Sequence, residues 1–325
     1  MVAQVRRVLA ATTAVVLAVL VIPGGTAVAS GRYRAVDLGF DGEARAVNSR
    51  GDVVGEGWLS SADQGSHGFL WSRGRVTDLG VLERGEWEYG RATGVNDRGQ
   101  VVGFSVYRGD PEQSAAHAFL WQRGVLTDID AASLDSMATA VNNRGQVVGT
   151  RYLADGAHAF VWQAGTMKNL AAGFGTDIND RGQVVGRDRV TGATMWQRGR
   201  AYDLGAPAGQ DDWAPVAINE RGWIAGNAGV TTGRAYLWRA GSFLDLGTLG
   251  GPTAFAVDLN DRGQVLGLSE TASGDLHPFL WQGGRMIDLT TRGIPADVTV
   301  NALGERGQIL GTVNTGSGQH AGFYR

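Results

Sequence analysis

The sequence repeats one short phrase seven times between Asn48 and Gly311, and this repetition constrains the fold more than any other feature. The phrase is clearest as Asn-Asp-Arg-Gly-Gln-Val-Val-Gly at 96–103. The seven copies, which number repeats 1 to 7, begin at Asn48, Asn96, Asn142, Asn179, Asn219, Asn260 and Gly304. Valine and isoleucine flank the Asn-x-Arg-Gly core, whose glycine tolerates positive φ. Each copy therefore predicts two short strands, A and B, joined by a tight turn.

A second phrase follows each copy of the first and reads His-Ala-Phe-Leu-Trp at 117–121. Its aromatic position is filled by Trp71, Trp121, Trp162, Trp196, Trp238, Trp281 and Tyr324. The Trp-x-x-Gly turn and the apolar residues around it predict a second hairpin, strands C and D. Each repeat thus contains four predicted strands.

Spacing separates the rigid turns from the variable loops. The first residue of the phrase and its second glycine are seven residues apart in all seven copies. The gap from that glycine to the Phe position varies from 8 residues (Gly186 to Thr194) to 16 (Gly103 to Phe119). The loops B to C and D to A therefore absorb the variation, and recognition is usually carried by such loops on a fixed scaffold.

A repeat of four strands and 37 to 48 residues matches a propeller blade. The segment Tyr33–Gly39 is a lone strand D, and His320–Tyr324 is a lone strand C. Each end supplies what the other lacks. We therefore predict an all-β fold, a seven-bladed β-propeller of four-stranded antiparallel blades, in which the N-terminal strand closes the ring and strand A is innermost.

Residues 1–29 combine Arg6 and Arg7, an apolar run and Ala27-Val28-Ala29, which is the order of a cleavable secretory signal. The alternative is an uncleaved anchor, but the apolar run of about 15 residues is shorter than the roughly 20 that span a bilayer. We predict a signal peptide at 1–29, a propeller domain at 30–325 and a secreted, extracellular, monomeric protein.

The composition excludes several kinds of partner and site. Removal of residues 1–29 leaves 27 basic and 32 acidic residues, a net charge of −5, so we expect no nucleic-acid partner and no membrane partner after cleavage. The chain has no cysteine, which excludes disulfides and thiolate chemistry. We expect no cofactor and no metal.

The positions that recur in every repeat are better explained by structure than by catalysis. All five histidines, His67, His117, His158, His277 and His320, occupy the head of strand C. One residue per blade cannot converge on a single ion, so we expect each to form a hydrogen bond within its own blade. The Asp that follows in strand D is the expected acceptor, and the Trp position is expected to pack between blades.

Two aspartates depart from the repeat. Strand A has a small residue two positions before the Asn in most copies, but repeats 4 and 6 have Asp177 and Asp258 there. These axial carboxylates could hold a cation or act as acid and base. They could equally accept backbone hydrogen bonds, and both interpretations stay open at this stage.

The variable loops hold aromatic and charged residues that the repeat does not require. The candidate ligand-binding residues are Trp58, Glu86, Trp87, Tyr89, Tyr107, Arg108, Asp211, Asp212 and Trp213. Exposed rings stack on sugars or peptides, while neighbouring carboxylates accept hydroxyl or amine hydrogens. The competing interpretation is that these tryptophans pack beneath their own loops.

The His-Ala-Phe-Leu-Trp string with a downstream Asp-Leu-Gly, as at 245–247, resembles the predicted extracellular HAF-repeat family over essentially the whole mature chain. That resemblance implies a secreted repeat protein and brings no catalytic residues with it. Repeat 4 departs most, with Gly192 where others have histidine, so its His–Asp link should be missing.

The function that these features favour is a non-catalytic binding or interaction module for a polysaccharide or an extracellular protein, acting through the variable loops. One alternative is an extracellular polysaccharide hydrolase or lyase that uses loop or axial carboxylates. Another is a structural protein of the cell envelope.

Overall fold

The computed structural model describes residues 32–59, 65–82, 89–108, 114–210, 212–229, 233–316 and 318–325, without the side chains of residues 107, 108 and 114. The predicted signal segment 1–29 lies outside these residues. Among them there is no helix with the length and apolar character needed to cross a membrane.

Antiparallel strands make up nearly all of the regular structure. Repeats 1 and 2 contain β1 (Ala35–Val47), β2 (Val53–Gly57), β3 (His67–Ser72), β4 (Arg75–Gly80), β5 (Tyr89–Val95), β6 (Val101–Arg108), β7 (Ser114–Gln122) and β8 (Val125–Asp128). Repeats 3 and 4 contain β9 (Asp135–Val141), β10 (Val147–Leu153), β11 (Gly156–Gln163), β12 (Thr166–Ile178), β13 (Val184–Asp188), β14 (Gly192–Gln197) and β15 (Arg200–Asp203).

The remaining repeats follow the same order. Repeats 5 and 6 contain β16 (Trp213–Ile218), β17 (Ile224–Ala228), β18 (Arg234–Arg239), β19 (Ser242–Asp245), β20 (Gly250–Leu259), β21 (Val265–Thr271), β22 (Leu276–Gln282) and β23 (Arg285–Asp288), followed by a 3-10 turn at Leu289–Arg292. Repeat 7 contains β24 (Val300–Leu303), β25 (Ile309–Asn314) and β26 (Gln319–Tyr324).

The strands pair in chain order within each repeat. Three sheets have four strands each, β5 to β8, β16 to β19 and β20 to β23. Two sheets have seven strands, β9 to β15 and the order β24-β25-β26-β1-β2-β3-β4. In each larger sheet one 13-residue strand, β12 or β1, serves two repeats, as the last strand of one and the first strand of the next.

Local chemistry explains why β12 runs on where other repeats turn. In most repeats the Asp of strand D accepts the backbone N–H two residues later, as Asp78 does from Gly80 at 2.7 Å. This Asx turn, which in repeats 1, 4, 5 and 7 ends at a glycine with positive φ, redirects the chain. Repeat 3 has Asn169 and Leu170 at these positions with no glycine after them, and the strand continues into repeat 4.

The N-terminal strand completes the sheet of the last repeat, as the sequence predicts. The first half of β1 pairs antiparallel with β26, with Ala35 opposite Tyr324 and Asp37 opposite Gly322. The second half of β1 pairs with β2, with Val47 opposite Val53. One strand therefore joins repeat 7 to repeat 1, hydrogen-bonded to β26 through its first half and to β2 through its second.

The first strands of the repeats contact one another in succession and are called the inner strands here. The contacting pairs are β1 with β5, β5 with β9, β9 with β12, β12 with β16, β16 with β20, β20 with β24, and β24 with β1. Each inner strand has a β-bulge three residues before the Asn position, at Arg45, Thr93, Thr139, Thr176, Val216, Val257 and Asn301. Such a bulge bends the strand and re-aims the extra side chain.

The hydrophobic core is divided among the repeat boundaries. Trp281 of repeat 6, which is 4% exposed, clusters with Ala225 and Leu237 of repeat 5. Trp196 of repeat 4 clusters with Val148 of repeat 3. The tryptophan position thus packs between neighbouring repeats at these boundaries, as expected from the area that a buried indole removes from water.

Asparagine side chains link each A to B turn to the next. The Nδ2 group of each Asn donates to the backbone carbonyl at the first position of the following turn, at 2.9 to 3.3 Å. These links run from Asn48 through Asn96, Asn142, Asn179, Asn219 and Asn260 to Gly304. The asparagine that the sequence analysis explains as part of a turn therefore also connects that turn to the next one.

A parallel set of bonds uses the second residue of each turn. Its backbone N–H donates to the side-chain oxygen of the second residue in the next turn, at 2.5 to 2.9 Å. This second series runs from Ser49 through Asp97, Asn143, Asp180, Glu220 and Asp261 to Glu305. Six successive junctions are thus linked twice.

Candidate ligand-binding site

The histidines lie where the sequence predicts and hold their own repeats together. His67, His117, His277 and His320 face the Asp of strand D with ring-nitrogen-to-oxygen distances of 2.7 to 3.0 Å. In repeat 3, His158 instead contacts Asp155 at 2.8 Å. Repeat 4 has Gly192 at this position and no imidazole to form the link.

These aspartates are structural acceptors. Although burial works to raise it, hydrogen bonds from Thr290 and His277 hold the pKa of the Asp288 carboxyl below its usual range. The same carboxylate caps the 3-10 turn through the backbone N–H of Thr290 at 2.9 Å. In repeat 5 the partner is Arg234, paired with Asp245 at 2.8 Å. Among the described residues no three His, Cys, Asp or Glu side chains cluster as metal ligands.

Asp177 and Asp258 join neighbouring inner strands. Asp177 accepts the backbone N–H of Ile178 in its own repeat and of Ile218 in the next, both at 2.8 Å. Asp258 likewise accepts from Leu259 at 2.7 Å and from Leu303 at 2.6 Å. All four oxygens are therefore committed to backbone amides, which is the structural alternative that the sequence left open.

The surrounding protein makes ionisation of these carboxyls costly. Burial raises the pKa of Asp258 to about 7, against the lowering effect of its two amide partners, and the charge of Asp177 adds to the increase. Burial also raises the pKa of Asp177. Two acceptors with little solvation and no free oxygen serve as bridges more readily than as a base for substrate.

The predicted loop residues separate into different environments. Trp58 is exposed, with 52% of its surface accessible, and Tyr89 is half-buried at the start of β5. Asp212 forms a two-point ion pair with Arg187 of repeat 4, at 2.8 and 2.9 Å. Glu86, Trp87 and Asp211 lie outside the described residues, as do the side chains of Tyr107 and Arg108 in β6.

Trp213 is a core residue, which removes it from the candidate binding residues. Its side chain is 1% exposed and meets the ring of Phe243 edge to face, with centroids 5.0 Å apart. The reason is its position as the first residue of β16, where Gly226 on β17 leaves room for the indole. The competing interpretation, a tryptophan packed beneath its own loop, holds for this residue.

A charged cluster that sequence reasoning missed lies beside Tyr89. Glu56, 8% exposed on β2, accepts from Arg45 of β1 at 2.9 Å and from Arg91 of β5. Arg45 also pairs with Glu43 at 2.7 Å. These residues, Glu43, Arg45, Glu56, Tyr89 and Arg91, are called the Glu56 cluster. Two carboxylates thus balance two guanidinium groups.

The cluster connects three repeats and includes an aromatic wall. The Tyr89 hydroxyl donates to Glu56 at 3.4 Å, and the Arg91 guanidinium lies 5.5 Å from the Tyr89 ring centre. Both burial and the nearby Glu56 charge raise the pKa of Tyr89. Asn301 of repeat 7 donates to Glu43 at 3.3 Å. The tyrosine therefore stays a neutral hydrogen-bonding group.

Trp58 lies on the same edge as the Glu56 cluster. It follows Gly57, which is opposite Gly42 in the β1–β2 ladder, and its backbone N–H donates to the carbonyl of Asp41 at 2.9 Å. The inner-strand position of Glu43 and Arg91, five residues before the Asn, holds Phe174 and Phe255 in repeats 4 and 6, and these are 46% and 37% exposed. One end of the inner strands thus carries a compensated charge cluster and exposed rings.

A sequence signal for this cluster existed but is weak. Glu43 and Arg45 interrupt positions that hold small, apolar or hydroxyl side chains in most repeats, as Asp177 and Asp258 do. A comparison of repeats at every inner-strand position would have found them, whereas a search limited to the variable loops does not.

Comparison with known proteins identifies the fold. No protein-family model and no curated protein matches the sequence. Among solved structures, YCF48 bound to a D1 peptide matches with a TM-score of 0.56 at 12% identity, covering 92% of this chain and 96% of that one. YCF48 from Cyanidioschyzon merolae gives 0.53 at 10% identity, covering 90% and 98%.

A third similar structure is the set of RRP9 WD40 repeats, with a TM-score of 0.52 at 13% identity, covering 90% of this chain and 96% of that chain. At such low identity the likeness is one of fold alone. This all-β chain of repeated four-stranded antiparallel units has a β-propeller fold.

Proposed function

We propose that this protein is a secreted, seven-bladed β-propeller that binds an extracellular protein or carbohydrate without catalysis, at the edge formed by the Glu56 cluster and Trp58. The closed ring is supported by the pairing of β1 with β26 and by the contact of β24 with β1. Secretion is supported by the sequence of residues 1–29, and membership of the HAF-repeat family by the repeat phrases themselves.

The observation that carries the proposal is the half-exposed Trp58 ring on the same edge as a partly buried, charge-balanced cluster. An exposed indole offers a large, rigid contact area, and arginine and tyrosine are the side chains that most often dominate binding surfaces. Because Glu56 is held by two arginines, the cluster is arranged to present hydrogen-bonding groups in fixed positions. It is poorly suited to accept a proton from a substrate.

A peptide segment fits this edge well. Phe174 and Phe255 provide apolar contacts, while the Glu56 cluster provides donors and acceptors, so an extended chain with alternating apolar and polar groups is complementary. One of the similar propellers, YCF48, was solved with a bound peptide. A carbohydrate is the second ligand class, because sugar rings stack on exposed indoles.

The test is a binding screen of the purified protein, residues 30–325, against a random peptide library and an array of neutral and acidic glycans. Trp58→Ala should abolish the selected interaction or weaken it by at least about tenfold, since a central aromatic anchor commonly contributes about 2 kcal/mol or more. Tyr202→Ala is the matched control, because Tyr202 is similarly exposed, at 43%, on the last strand of repeat 4.

Retention of the fold is checked by circular dichroism for each variant. Equal loss of binding in both variants, or no ligand for the wild-type protein in either screen, would contradict the proposal. Binding that follows Trp58 only for peptides, or only for glycans, would identify the ligand class.

A further inference from the structure

The opposite edge of the sheets contains a pocket at the boundary between repeat 7 and repeat 1. It lies between the turn of repeat 7 and the two turns of repeat 1, encloses about 680 Å³ and is open to solvent on one side. Arg50, Arg73, Arg306 and Arg325 line it, together with Asp52. This boundary is called the seam.

The seam is the junction at which both series of turn links stop. Gly304 has no side chain to donate to the turn at Asn48, in contrast to the six asparagines. Gln308 instead turns inward, and its Oε1 accepts the backbone N–H of Arg306 at 3.1 Å. A Cβ on Gly304 would lie only 2.4 Å from that oxygen. The glycine and the inward-turned Gln308, which lines the pocket, distinguish this junction from the other six.

Four arginine side chains and one acidic side chain, that of Asp52, line the pocket. Arg50 is neutralised by Asp52, with Nη2 and Oδ2 2.6 Å apart. Although partial burial opposes it, hydrogen bonds from Ser72, Asn48 and Arg50 keep the pKa of Asp52 below its usual range, so this carboxylate is ionised. Among the described residues no carboxylate forms an ion pair with Arg73, Arg306 or Arg325.

The shape suits a small ligand with more than one anionic group. A volume of about 680 Å³ lies within the range of roughly 300 to 1,000 Å³ typical of small-molecule sites. Trp71 and Phe323, whose rings meet edge to face at 5.6 Å, form an apolar wall. One guanidinium group can donate two parallel hydrogen bonds to two oxygens of a carboxylate, sulfate or phosphate. Several guanidinium groups in one pocket favour a ligand with several anionic groups.

We propose that the seam pocket is a second binding site, separate from the Trp58 edge, and that it takes a small polyanion through Arg73, Arg306 and Arg325. The carboxylates of an acidic oligosaccharide and the oxygens of a short polyphosphate share this chemistry. The site requires no catalytic step. It lies at the junction where the turn links of the other six junctions are absent.

The repeats supply a variant that should fold and a matched control. Arg73 occupies a turn position with φ of 51°, and in repeats 3 and 5 the same position is alanine, at φ of 48° and 46°. Arg73→Ala with Arg306→Ala therefore removes two pocket guanidinium groups at little structural cost. The control, Arg123→Ala with Arg262→Ala, removes the arginine side chains at the equivalent turn positions of repeats 2 and 6, which do not line the pocket.

The experiment is calorimetric titration of the full mature chain with tripolyphosphate, with trigalacturonate and, as a neutral probe, with maltotriose. The wild-type protein should bind at least one anion with an affinity that falls as salt rises. The seam double variant should lose about tenfold or more in affinity, since charge-assisted contacts are removed. The control double variant should stay within about threefold.

The preferred probe identifies the source of the ligand. Trp58→Ala, at the other edge, should bind the anion normally. Failure of the proposed binding at the Trp58 edge would therefore leave the anion-binding result of the seam pocket unaffected. Equal losses in both double variants would show diffuse attraction to surface arginines and would overturn the site. Equal binding of maltotriose, or no binding of either anion by the wild-type protein, would overturn it as well.

Discussion

Six of the junctions between successive A to B turns are built alike, and the seam between repeats 7 and 1 is built differently. At each of the six, an asparagine side chain reaches the next carbonyl and a backbone N–H reaches the next side-chain oxygen. At the seam the donor is absent, since Gly304 replaces asparagine. The seam is held instead by the pairing of β1 with β26 and by a hydrogen bond between inner strands.

Two connections replace the missing turn links. Strand β1 is continuous with repeat 1 and is held to repeat 7 by its hydrogen bonds to β26. Asn301 also donates to the carbonyl of Ala44 at 3.1 Å, as Thr93 does to Ala138 at the junction between repeats 2 and 3. The seam therefore holds a pocket beside the β1–β26 pair, where the turn links are absent. The closing strand pair also borders the pocket, because Phe323 lies opposite Val36 of β1 and lines the pocket.

The largest effect is expected from removal of the strand that crosses the seam. Deletion of residues 32–41 takes away the partner of β26 and leaves its edge and Phe323 uncovered. An exposed sheet edge invites aggregation. We expect loss of a cooperative thermal transition, followed by circular dichroism, and soluble aggregates on size-exclusion chromatography.

A synthetic peptide of residues 32–42, added to the deleted protein, provides the control. Because the lost element is a single strand, the peptide should pair with β26 and restore a cooperative transition. A deleted protein that stays monomeric and melts as the wild type does would show that β1 is dispensable for closure.

The second largest effect is expected at a linked junction. Asn142, 4% exposed, donates to Gln146 at 2.8 Å and Asn179 at 3.0 Å and accepts from two backbone amides. Asn142→Ala leaves these groups unpaired and should lower the free energy of unfolding by about 3 kcal/mol. Arg144→Ala, in the same turn but exposed, should change it by less than about 0.5 kcal/mol. Similar values for the two variants in denaturant titrations would mean that the turn links add little.

Much of the fold could be predicted from the sequence because each turn and strand pattern occurs in several repeats. The paired turns, the four strands per repeat and the lone terminal strands predict the hairpins and the β1–β26 pairing that the structure contains. The continuous strand β12 was not predicted, although the missing Asp-Leu-Gly after Lys168 gave a local signal. The inner-strand bulges have no sequence signature, because Arg, Thr, Val and Asn all occupy them.

The candidate sites were less accessible, for a physical reason. A loop tryptophan has the same sequence context whether it is exposed, as Trp58 is, or packed on Phe243, as Trp213 is. Burial depends on what the neighbouring strand leaves open. The seam pocket depends on residues from both ends of the chain, Asp52 and Arg306 among them, and only the pairing of β1 with β26 brings these together.

Carboxyl bridges between inner strands provide a further comparison between junctions. Asp258 links repeats 6 and 7 beside the seam, and burial raises its pKa from the ordinary 3.8 to about 7. Between these values the folded protein keeps a proton that the unfolded chain releases. The stability that this group contributes is therefore complete below pH 3.8 and is lost as pH rises towards 7, by up to about 1.4 kcal/mol per pH unit.

Asp258→Asn removes this titration and should flatten the dependence of unfolding free energy on pH between about 4 and 7 relative to the wild type. The measurement is a series of denaturant titrations across that range, with the wild-type and variant slopes compared. Asp203→Asn, an exposed strand-D aspartate in repeat 4 where Gly192 replaces the histidine, serves as the control for general effects of charge. Parallel slopes for wild type and Asp258→Asn would show that Asp258 is ionised throughout.

The smallest effect, and the sharpest test of the comparison, is expected from rebuilding the seventh link. Gly304→Asn places a donor where the other turns have one, and the backbone φ of Gly304 is not in the left-handed region. The new Cβ meets only the flexible end of Gln308 and, at 3.1 Å, Val47, so Gln308 must swing out to the position that Gln264 has beside Asn260. One added hydrogen bond, from the introduced side-chain amide to the carbonyl of Asn48, should stabilise the fold by about 1 kcal/mol.

Because Gln308 and Val47 also line the seam pocket, the same variant should weaken tripolyphosphate binding. A gain in melting temperature without loss of anion binding would show that the seventh turn link and the anion site are compatible. The absence of that link at the seam would then not be explained by anion binding.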